Sequence, residues 1–135
     1  MINTRKENNE VLYSTENFVS LTGDDLSQMK EMAKSNDRNR IRICTHQSVD
    51  DDVHEMIIYH PKDSYVPPHM HIEKDESFHL ISGEITLILF NEKQPKIAKI
   101  KITVTTEIRL IISPFFCSAL IVSYKFFISS TLSDI

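Results

Sequence analysis

From residue 41 onwards, apolar and polar residues alternate within a succession of short segments, and this pattern limits the fold more than any other feature. Ile41 and Ile43 alternate with Arg42 and Cys44, the period of two expected of a strand whose successive side chains point to opposite faces. Further segments of this kind are VHEMIIYH, ESFHLIS, EITLILF, IAKIKITVTT, EIRLIIS, CSALIVSY and FFISSTL. About eight or nine short strands after one helix predict an all-β sandwich or small barrel.

The N-terminal part carries the one helix that the sequence predicts. In LTGDDLSQMKEMAKSNDRNR, Thr22 or Asp24 can cap a helix. The apolar residues of this stretch recur at helical spacing: Leu26, Met29 and Met32 or Ala33. We therefore expect one domain, with an extension over 1–20, an outer helix over 21–37 and a β-barrel over 38–135. The first ten residues are polar and are expected to be frayed.

Charge and cysteine content exclude several classes of function. The net charge is −4, without a dominant basic patch, which argues against a nucleic-acid partner. Cys44 and Cys117 are too few for a disulfide scaffold and do not form a CxxC pair. The polar start of the sequence has no apolar core of a secretory signal. We therefore expect a cytoplasmic protein with reduced thiols.

One uncharged stretch, LIISPFFCSALIVSY at 110–124, raises the question of a membrane segment. It has 15 residues, whereas a spanning helix needs about 20. Pro114 and several serines interrupt it further. Buried strands are therefore favoured over the alternative of a membrane anchor, and we expect no membrane partner.

The stretch VPPHMHIEKDESFHLISG contains a histidine pair followed by a carboxylate. His69 and His71 would lie on one face of a strand, with Cα atoms about 6.5 to 7 Å apart. Two imidazoles at that spacing can bind one ion at about 2.0 to 2.1 Å each, and Glu76 from the following strand can add a third ligand. An HxH pair alone is common on surface strands. Together with the carboxylate it suits iron, manganese, nickel or zinc, with coordination positions left open.

His69, His71, Glu76 and Gly83 reproduce H-x-H, four residues, Glu, six residues, Gly, and so resemble the first motif of the cupins. Residues 40–92 are also similar to cupin-fold metalloproteins of the WbuC type, in the HEM triplet, PHxH and the K-x-ESFH-x-I-x-G-E run. These are small bacterial proteins often encoded among genes for O-antigen or other surface polysaccharides. The resemblance implies a double-stranded β-helix, or jelly roll, with a metal held in its mouth by the two histidines and the glutamate.

The C-terminal part departs from the cupin pattern. Cupins usually carry a second motif whose histidine completes the metal shell, but this chain has no histidine after His79. Phe116-Cys117-Ser118 occupies the corresponding place. Two explanations are open: Cys117 replaces the histidine as a thiolate ligand, or the fourth protein ligand is missing and Cys117 is an ordinary buried residue.

Four further residues are candidates for the pocket: Arg42, His46, His54 and Tyr65. If the apolar side of the first strand packs against the fold, Arg42 and His46 face the barrel mouth, where Arg42 could hold a carboxylate or phosphate; a solvated face is the alternative. His54 is equally well placed in the pocket or on the surface. Tyr65 is interpreted as a core aromatic, with a proton donor as the alternative. His79 is an odd number of residues from Glu76 and should face away.

Two functions from different classes fit these residues. The first is an enzyme in surface-polysaccharide assembly that isomerises or epimerises a sugar or sugar nucleotide, using the metal and a nearby His or Glu as proton carrier. The second is a non-catalytic module in which the metal stabilises a barrel that binds a small ligand. The cupin resemblance also implies a homodimer formed through sheet edges.

Overall fold

The computed structural model describes residues 2–71, 74–91, 94–103, 109–112, 117–122 and 126–134, and side chains within 2–71 and 75–89. This part of the chain is mostly β-structure with one short helix, as predicted. The elements are β1 (Thr4–Lys6), β2 (Val11–Ser14), α1 (Gly23–Ala33), β3 (Ile41–Cys44), β4 (Val53–His60), β5 (Tyr65–His69), β6 (Lys74–Ser82), β7 (Glu84–Asn91), β8 (Gln94–Thr103), β9 (Arg109–Ile112), β10 (Cys117–Val122) and β11 (Phe126–Asp134).

The strands form two sheets. The larger has the order β1-β2-β3-β4-β11-β6-β9, and the smaller has the order β5-β10-β7-β8. All pairs are antiparallel except β2 with β3. Consecutive strands from β4 to β7 alternate between the two sheets, which is the connectivity of a jelly roll. Gly83, at φ 102°, allows the turn from β6 into β7 that the sequence predicts.

The last three residues of β9 and all of β10 lie in the uncharged stretch that raised the membrane question, so its prediction as strands is confirmed where it is described. Among the described residues, no helix has the length and apolar character needed to cross a membrane.

The larger sheet has two faces with different roles. On the outer face, Ile41, Ile43 and Ile57 pack with Met29 and Ala33 of α1. The helix is amphipathic at the predicted spacing, and burying this stripe fixes it outside the sheet. On the inner face, Met56 of β4 and Phe78 of β6 pair with the same residue of β11, Ser130. Paired residues share a face, so the burial of Phe78 and Leu80 marks the interior.

The helix is shorter than predicted at its C-terminal end, where it stops at Ala33 instead of residue 37. The Asn36 side-chain amide donates a 2.7 Å hydrogen bond to the carbonyl oxygen of Arg40. An asparagine that bonds the backbone in this way favours a turn over a further helical turn.

The N-terminus is ordered by a buried aspartate, so the expectation of frayed first residues is wrong from Ile2 onwards. The Ile2 side chain is buried, and its backbone N–H donates to Asp25 Oδ1 at 3.1 Å. Asp25 Oδ2 accepts from Thr22 N–H at 2.9 Å and from the Thr22 hydroxyl at 2.5 Å, which completes a capping box with Thr22 as N-cap. These bonds lower the pKa of Asp25 from 3.8 to about 2, the Thr22 side-chain bond contributing most.

Replacing Asp25 with alanine is expected to lower the free energy of unfolding by about 1 to 3 kcal/mol, because one change removes the N3 half of the capping box and leaves the buried Ile2 N–H without its acceptor. Because the folded pKa is depressed, the contribution is present above pH 3.8 and is lost as pH falls through about 2. Urea unfolding near neutral pH measures the effect. Asp24→Ala, an exposed neighbour in the same turn, is the control, and equal stability of both variants would contradict this role.

Two predicted turns are shorter than expected. The stretch PKDSYVPP has the composition of a turn, but Pro67 and Pro68 lie within β5. This strand ends the order of the smaller sheet, and an edge strand is where prolines are tolerated because they have no N–H to donate. Likewise, NEKQPK at 91–96 has the composition of a hairpin turn, but β8 begins at Gln94.

Candidate metal centre

The predicted metal-binding residues come from two sheets. His69 ends β5 in the smaller sheet and His71 follows it, whereas Glu76 lies near the start of β6 in the larger sheet. Glu76 is on the strand that follows the histidines, as predicted, but that strand does not pair with β5. The short connection instead carries the chain from one sheet to the other, so that the three side chains meet at one end of the fold.

The three side chains converge on one point. One ligand atom from each of His69, His71 and Glu76 lies within 4.8 Å of the others. His71 Nε2 is 3.9 Å from Glu76 Oε1, and the two imidazole rings are 5.1 Å apart and nearly perpendicular, at 88°. Two imidazoles and one carboxylate are a donor set that suits a divalent transition metal and leaves positions for other ligands.

A backbone hydrogen bond fixes the tautomer of His69. Its Nδ1 lies 3.0 Å from the carbonyl oxygen of Pro67, and because a carbonyl only accepts, Nδ1 must carry the proton and donate. In the neutral ring, Nε2 then presents its lone pair. Histidines that bind metals commonly donate their other ring N–H to such a carbonyl. The proline-stiffened strand therefore prepares one ligand without the ion.

Glu76 is the most buried member of the group, with 9% of its surface exposed. Burial raises its pKa from 4.5 to about 7, and the nearby His69 lowers it by a smaller amount. Burying an anionic carboxylate is unfavourable unless a positive charge compensates it. A cation at this point would provide that compensation.

The stabilisation that a divalent ion confers is expected to increase with pH. Protons compete with the metal for Glu76, whose folded pKa is about 7, so the carboxylate is increasingly available as pH rises through that value. Thermal unfolding with and without excess zinc, between about pH 5.5 and 8, measures the difference. A shift in Tm that is constant or decreases over this range would contradict the assignment of Glu76 as a ligand.

The proposed fourth ligand, Cys117, begins β10, and its side chain lies outside the described residues. The backbone register pairs Ser118 with His69, whereas Cys117 pairs with Phe90 of β7. Residues that pair directly share a face of the sheet and their neighbours face away. Ser118 therefore holds the register position next to His69, and the role of Cys117 stays a prediction.

Two of the four pocket candidates, His46 and His54, contact each other. Their rings stack with centroids 4.5 Å apart and planes 14° apart, and Tyr13 meets His46 edge-on at 5.5 Å. His54 pairs with Leu132 of β11, which pairs on its other side with Glu76. His54 and Glu76 therefore share a face and a cross-strand row, with one strand between them.

The structure does not bring the other two pocket candidates, Arg42 and Tyr65, together with His46, His54 and Glu76. Arg42 is exposed. It lies in the same cross-strand row as Ile58 of β4 and Leu80 of β6, and Leu80 is four residues along β6 from Glu76. Tyr65 is 60% exposed, so its interpretation as a core aromatic is wrong; it lies on the edge strand, where no neighbour covers its outer side in the described part of the chain.

His79 is exposed, while Glu76 is buried. The two residues therefore lie on opposite faces of β6, as the odd spacing predicts. The sequence predicts His46 and His54 as pocket candidates but does not predict that their rings stack. The sequence signal was a histidine at the end of one strand and another at the start of the next, joined by a short polar turn.

A family model described as "Domain of unknown function (DUF6016)" matches residues 21–102. This range includes α1, the candidate metal ligands His69, His71 and Glu76, and the stacked pair His46 and His54. No curated protein sequence matches the chain.

Several solved structures have a similar fold, and two of them are described as cupins. The Schizosaccharomyces pombe Cnp3 cupin domain has a TM-score of 0.58 at 9% identity, covering 71% of this chain and 65% of that one. A cupin superfamily protein from Desulfitobacterium hafniense gives 0.61 at 13%, covering 79% and 88%. CapF of Staphylococcus aureus, a capsular polysaccharide assembling protein, gives 0.63 at 12%, covering 74% and 29%. This chain thus spans under two thirds of Cnp3 and CapF, and the likeness shows a cupin fold.

Proposed function

This chain belongs to the family described as "Domain of unknown function (DUF6016)" and has the cupin fold, and we propose that it is a metal-binding cupin that acts on a sugar or sugar nucleotide. His69, His71 and Glu76 would hold one divalent ion, with iron, manganese, nickel and zinc as the candidates. The reaction class is isomerisation or epimerisation.

The observation that carries this proposal is the convergence of three ligand atoms within 4.8 Å from two different sheets. Exposed acidic clusters arise often without a metal, but this group contains a buried carboxylate and a histidine whose lone pair is oriented by a backbone carbonyl. Such supporting hydrogen bonds are typical of sites that bind metals.

The chemistry of the site follows from its open positions. When bound, a divalent ion would polarise a hydroxyl or keto oxygen of the sugar and so make the neighbouring C–H more acidic. The inner face of the barrel would exclude water from the sugar and orient it. A histidine or glutamate side chain beside the sugar would take the proton from one carbon. Returning a proton to the neighbouring carbon would isomerise the sugar, and returning one to the opposite face of the same carbon would epimerise it.

The substrate class is proposed from two likenesses. Residues 40–92 are similar to WbuC-type cupins, which accompany surface-polysaccharide genes, and the CapF protein with the same fold is named for capsular polysaccharide assembly. We therefore propose a sugar intermediate of surface-polysaccharide synthesis as substrate, and a cytoplasmic homodimer with a single cupin domain as the working form.

The proposal is tested by incubating the zinc-, manganese-, nickel- or iron-loaded protein with a panel of nucleoside-diphosphate sugars in deuterated water. Isomerisation or epimerisation through a proton transfer is expected to place deuterium at one sugar carbon, detectable by NMR and mass spectrometry. The variant His71→Ala is expected to abolish the exchange, while the exposed His79→Ala should retain it. Exchange that is equal in wild type and His71→Ala would contradict a metal-centred reaction.

A binding module is the second candidate, and it is favoured by the lack of any histidine after His79. A shell with only three protein ligands binds its ion more weakly than a full one. If it is correct, sugars should raise the Tm of the metal-loaded protein in a concentration-dependent manner without deuterium exchange. Exchange catalysed by the wild type would exclude a purely binding role.

A further inference from the structure

His54 has a shielded ring nitrogen that the metal group does not use. Its Nε2 is buried and has no hydrogen-bond partner among the described residues. Leaving a buried polar atom unsatisfied costs about 1 to 3 kcal/mol, so such an atom in a folded protein needs a reason, and a partner that binds there is one.

The position of His54 relates it to the metal group. His54 and Glu76 each pair with Leu132 of the strand between them, so their backbones are about 9 to 10 Å apart, two strand spacings. Both strands start at the same end of the larger sheet, because both are antiparallel to β11. The side chains share the inner face, so a molecule of five or six carbons at the metal centre would reach towards His54.

The ring of His54 is held in place by its neighbours. It stacks on His46 at 4.5 Å, and His46 Nδ1 donates to the carbonyl oxygen of Glu55 at 2.9 Å. The loop that carries His46 is held in turn by Asp51, whose carboxylate accepts from the N–H groups of Gln47 and Ser48 at 2.8 and 3.1 Å. This support orients a ring whose Nε2 has no protein partner among the described residues, as expected of a group that binds a ligand.

We propose that His54 Nε2 hydrogen-bonds the end of a polyhydroxylated ligand that lies away from the metal-binding end, and that His46 is the positioning residue that holds the His54 ring by stacking. This deepens the proposed function and rests on it. The ligand class is a sugar or sugar acid of about five or six carbons, since a shorter molecule bound at the metal would not span the two strand spacings of about 9 to 10 Å.

Two probes separate the metal contact from the His54 contact. Glycolate and D-gluconate are both 2-hydroxy acids and can bind a divalent ion through the same two groups, but only gluconate continues with four hydroxyl-bearing carbons. With the zinc-loaded protein, gluconate is expected to bind at least about tenfold more tightly than glycolate in titration calorimetry, the worth of one or two hydrogen bonds.

Variants of His46 and His54 test whether the tighter binding of gluconate depends on this stacked pair. His54→Phe keeps a ring against His46 but removes both nitrogens, and it is expected to weaken gluconate binding about fivefold while glycolate binding and zinc affinity stay unchanged. His54→Gln, whose amide reaches a similar position, should recover part of the loss. His46→Phe should retain gluconate binding and His46→Ala should weaken it. The exposed His79→Phe is the control and should match the wild type.

Stability distinguishes a binding role from a structural one. Because His54→Phe removes an unsatisfied buried nitrogen, the Tm of the zinc-loaded variant is expected to equal or exceed that of the wild type. Three results would overturn the inference: gluconate binding no tighter than glycolate, His54→Phe binding gluconate as the wild type does, or a lower Tm with equal losses for both probes. If neither probe shows zinc-dependent binding to the wild type, the proposed function fails together with the inference.

Discussion

Replacing Glu76 with glutamine is expected to stabilise the metal-free protein at about pH 8 while weakening its binding of divalent metal. The folded pKa of Glu76 is raised to about 7 from 4.5 by burial, so ionising this carboxyl in the folded state costs up to about 3 kcal/mol. Glutamine removes the charge and retains the shape. The loss of an anionic ligand should lower zinc affinity at least about tenfold.

The pH dependence of this effect has a definite sign. Below pH 4.5 the carboxyl is protonated in both folded and unfolded chains, so wild type and Glu76→Gln should be equally stable. The advantage of the variant should grow as pH rises and be complete above about pH 7. Urea unfolding in the presence of a chelator, at several pH values, measures it.

Glu84→Gln is the matched control for this prediction. Glu84 and Glu76 have the same exposed fraction, 9%, but Glu84 begins β7 and lies outside the three-residue metal group. Its substitution should leave zinc affinity unchanged. If Glu76→Gln binds zinc as tightly as the wild type, Glu76 is not a ligand. If Glu76→Gln is less stable than the wild type at high pH without metal, the Glu76 carboxylate has a stabilising partner in the folded protein.

Adding a fourth protein ligand beside His69 is expected to increase the affinity of the protein for zinc. Ser118 pairs with His69 across β5 and β10, so a histidine at this position would have its Cβ about 4.5 to 5.5 Å from that of His69. Ser118→His is expected to raise zinc affinity at least about tenfold by completing a tetrahedral set of protein ligands. Isothermal titration against a competing chelator measures the constant.

The neighbouring position provides the control. Cys117 pairs with Phe90, and alternate residues of a strand face opposite sides, so Cys117→His should not raise zinc affinity. Loss of affinity in Cys117→Ser would instead show that this cysteine supplies the fourth ligand. A larger gain from Cys117→His than from Ser118→His would contradict the register on which the prediction depends.

The sequence predicts most of the fold and the group of His69, His71 and Glu76, because the spacing of residues close together in the chain determines both. Period-two alternation from Ile41 onwards gives the strands, the capping residue gives the start of α1, and the interval from His69 to Glu76 to Gly83 is a compact motif with few physical interpretations. These signals depend on residues close together in the chain, where strand alternation and turn chemistry determine which side chains share a face.

What the sequence does not predict depends on pairing between distant segments. The first residues of the chain are ordered because Asp25 accepts a hydrogen bond from the backbone N–H of Ile2, 23 positions away. The placement of β5 and β6 in different sheets follows from how each pairs with the C-terminal strands. The row that relates His54 to Glu76 exists only through Leu132. Each contact is set by tertiary packing, which local periodicity does not encode.

A crystal structure of the protein grown with zinc, with anomalous data collected on both sides of the zinc absorption edge, would show directly whether His69, His71 and Glu76 bind a metal ion. We expect one ion per chain, bound by His69 and His71 nitrogens at about 2.0 to 2.1 Å and by a Glu76 oxygen at about 2.0 to 2.2 Å. An anomalous peak held by other residues, or no peak at these three side chains with excess zinc present, would contradict the account.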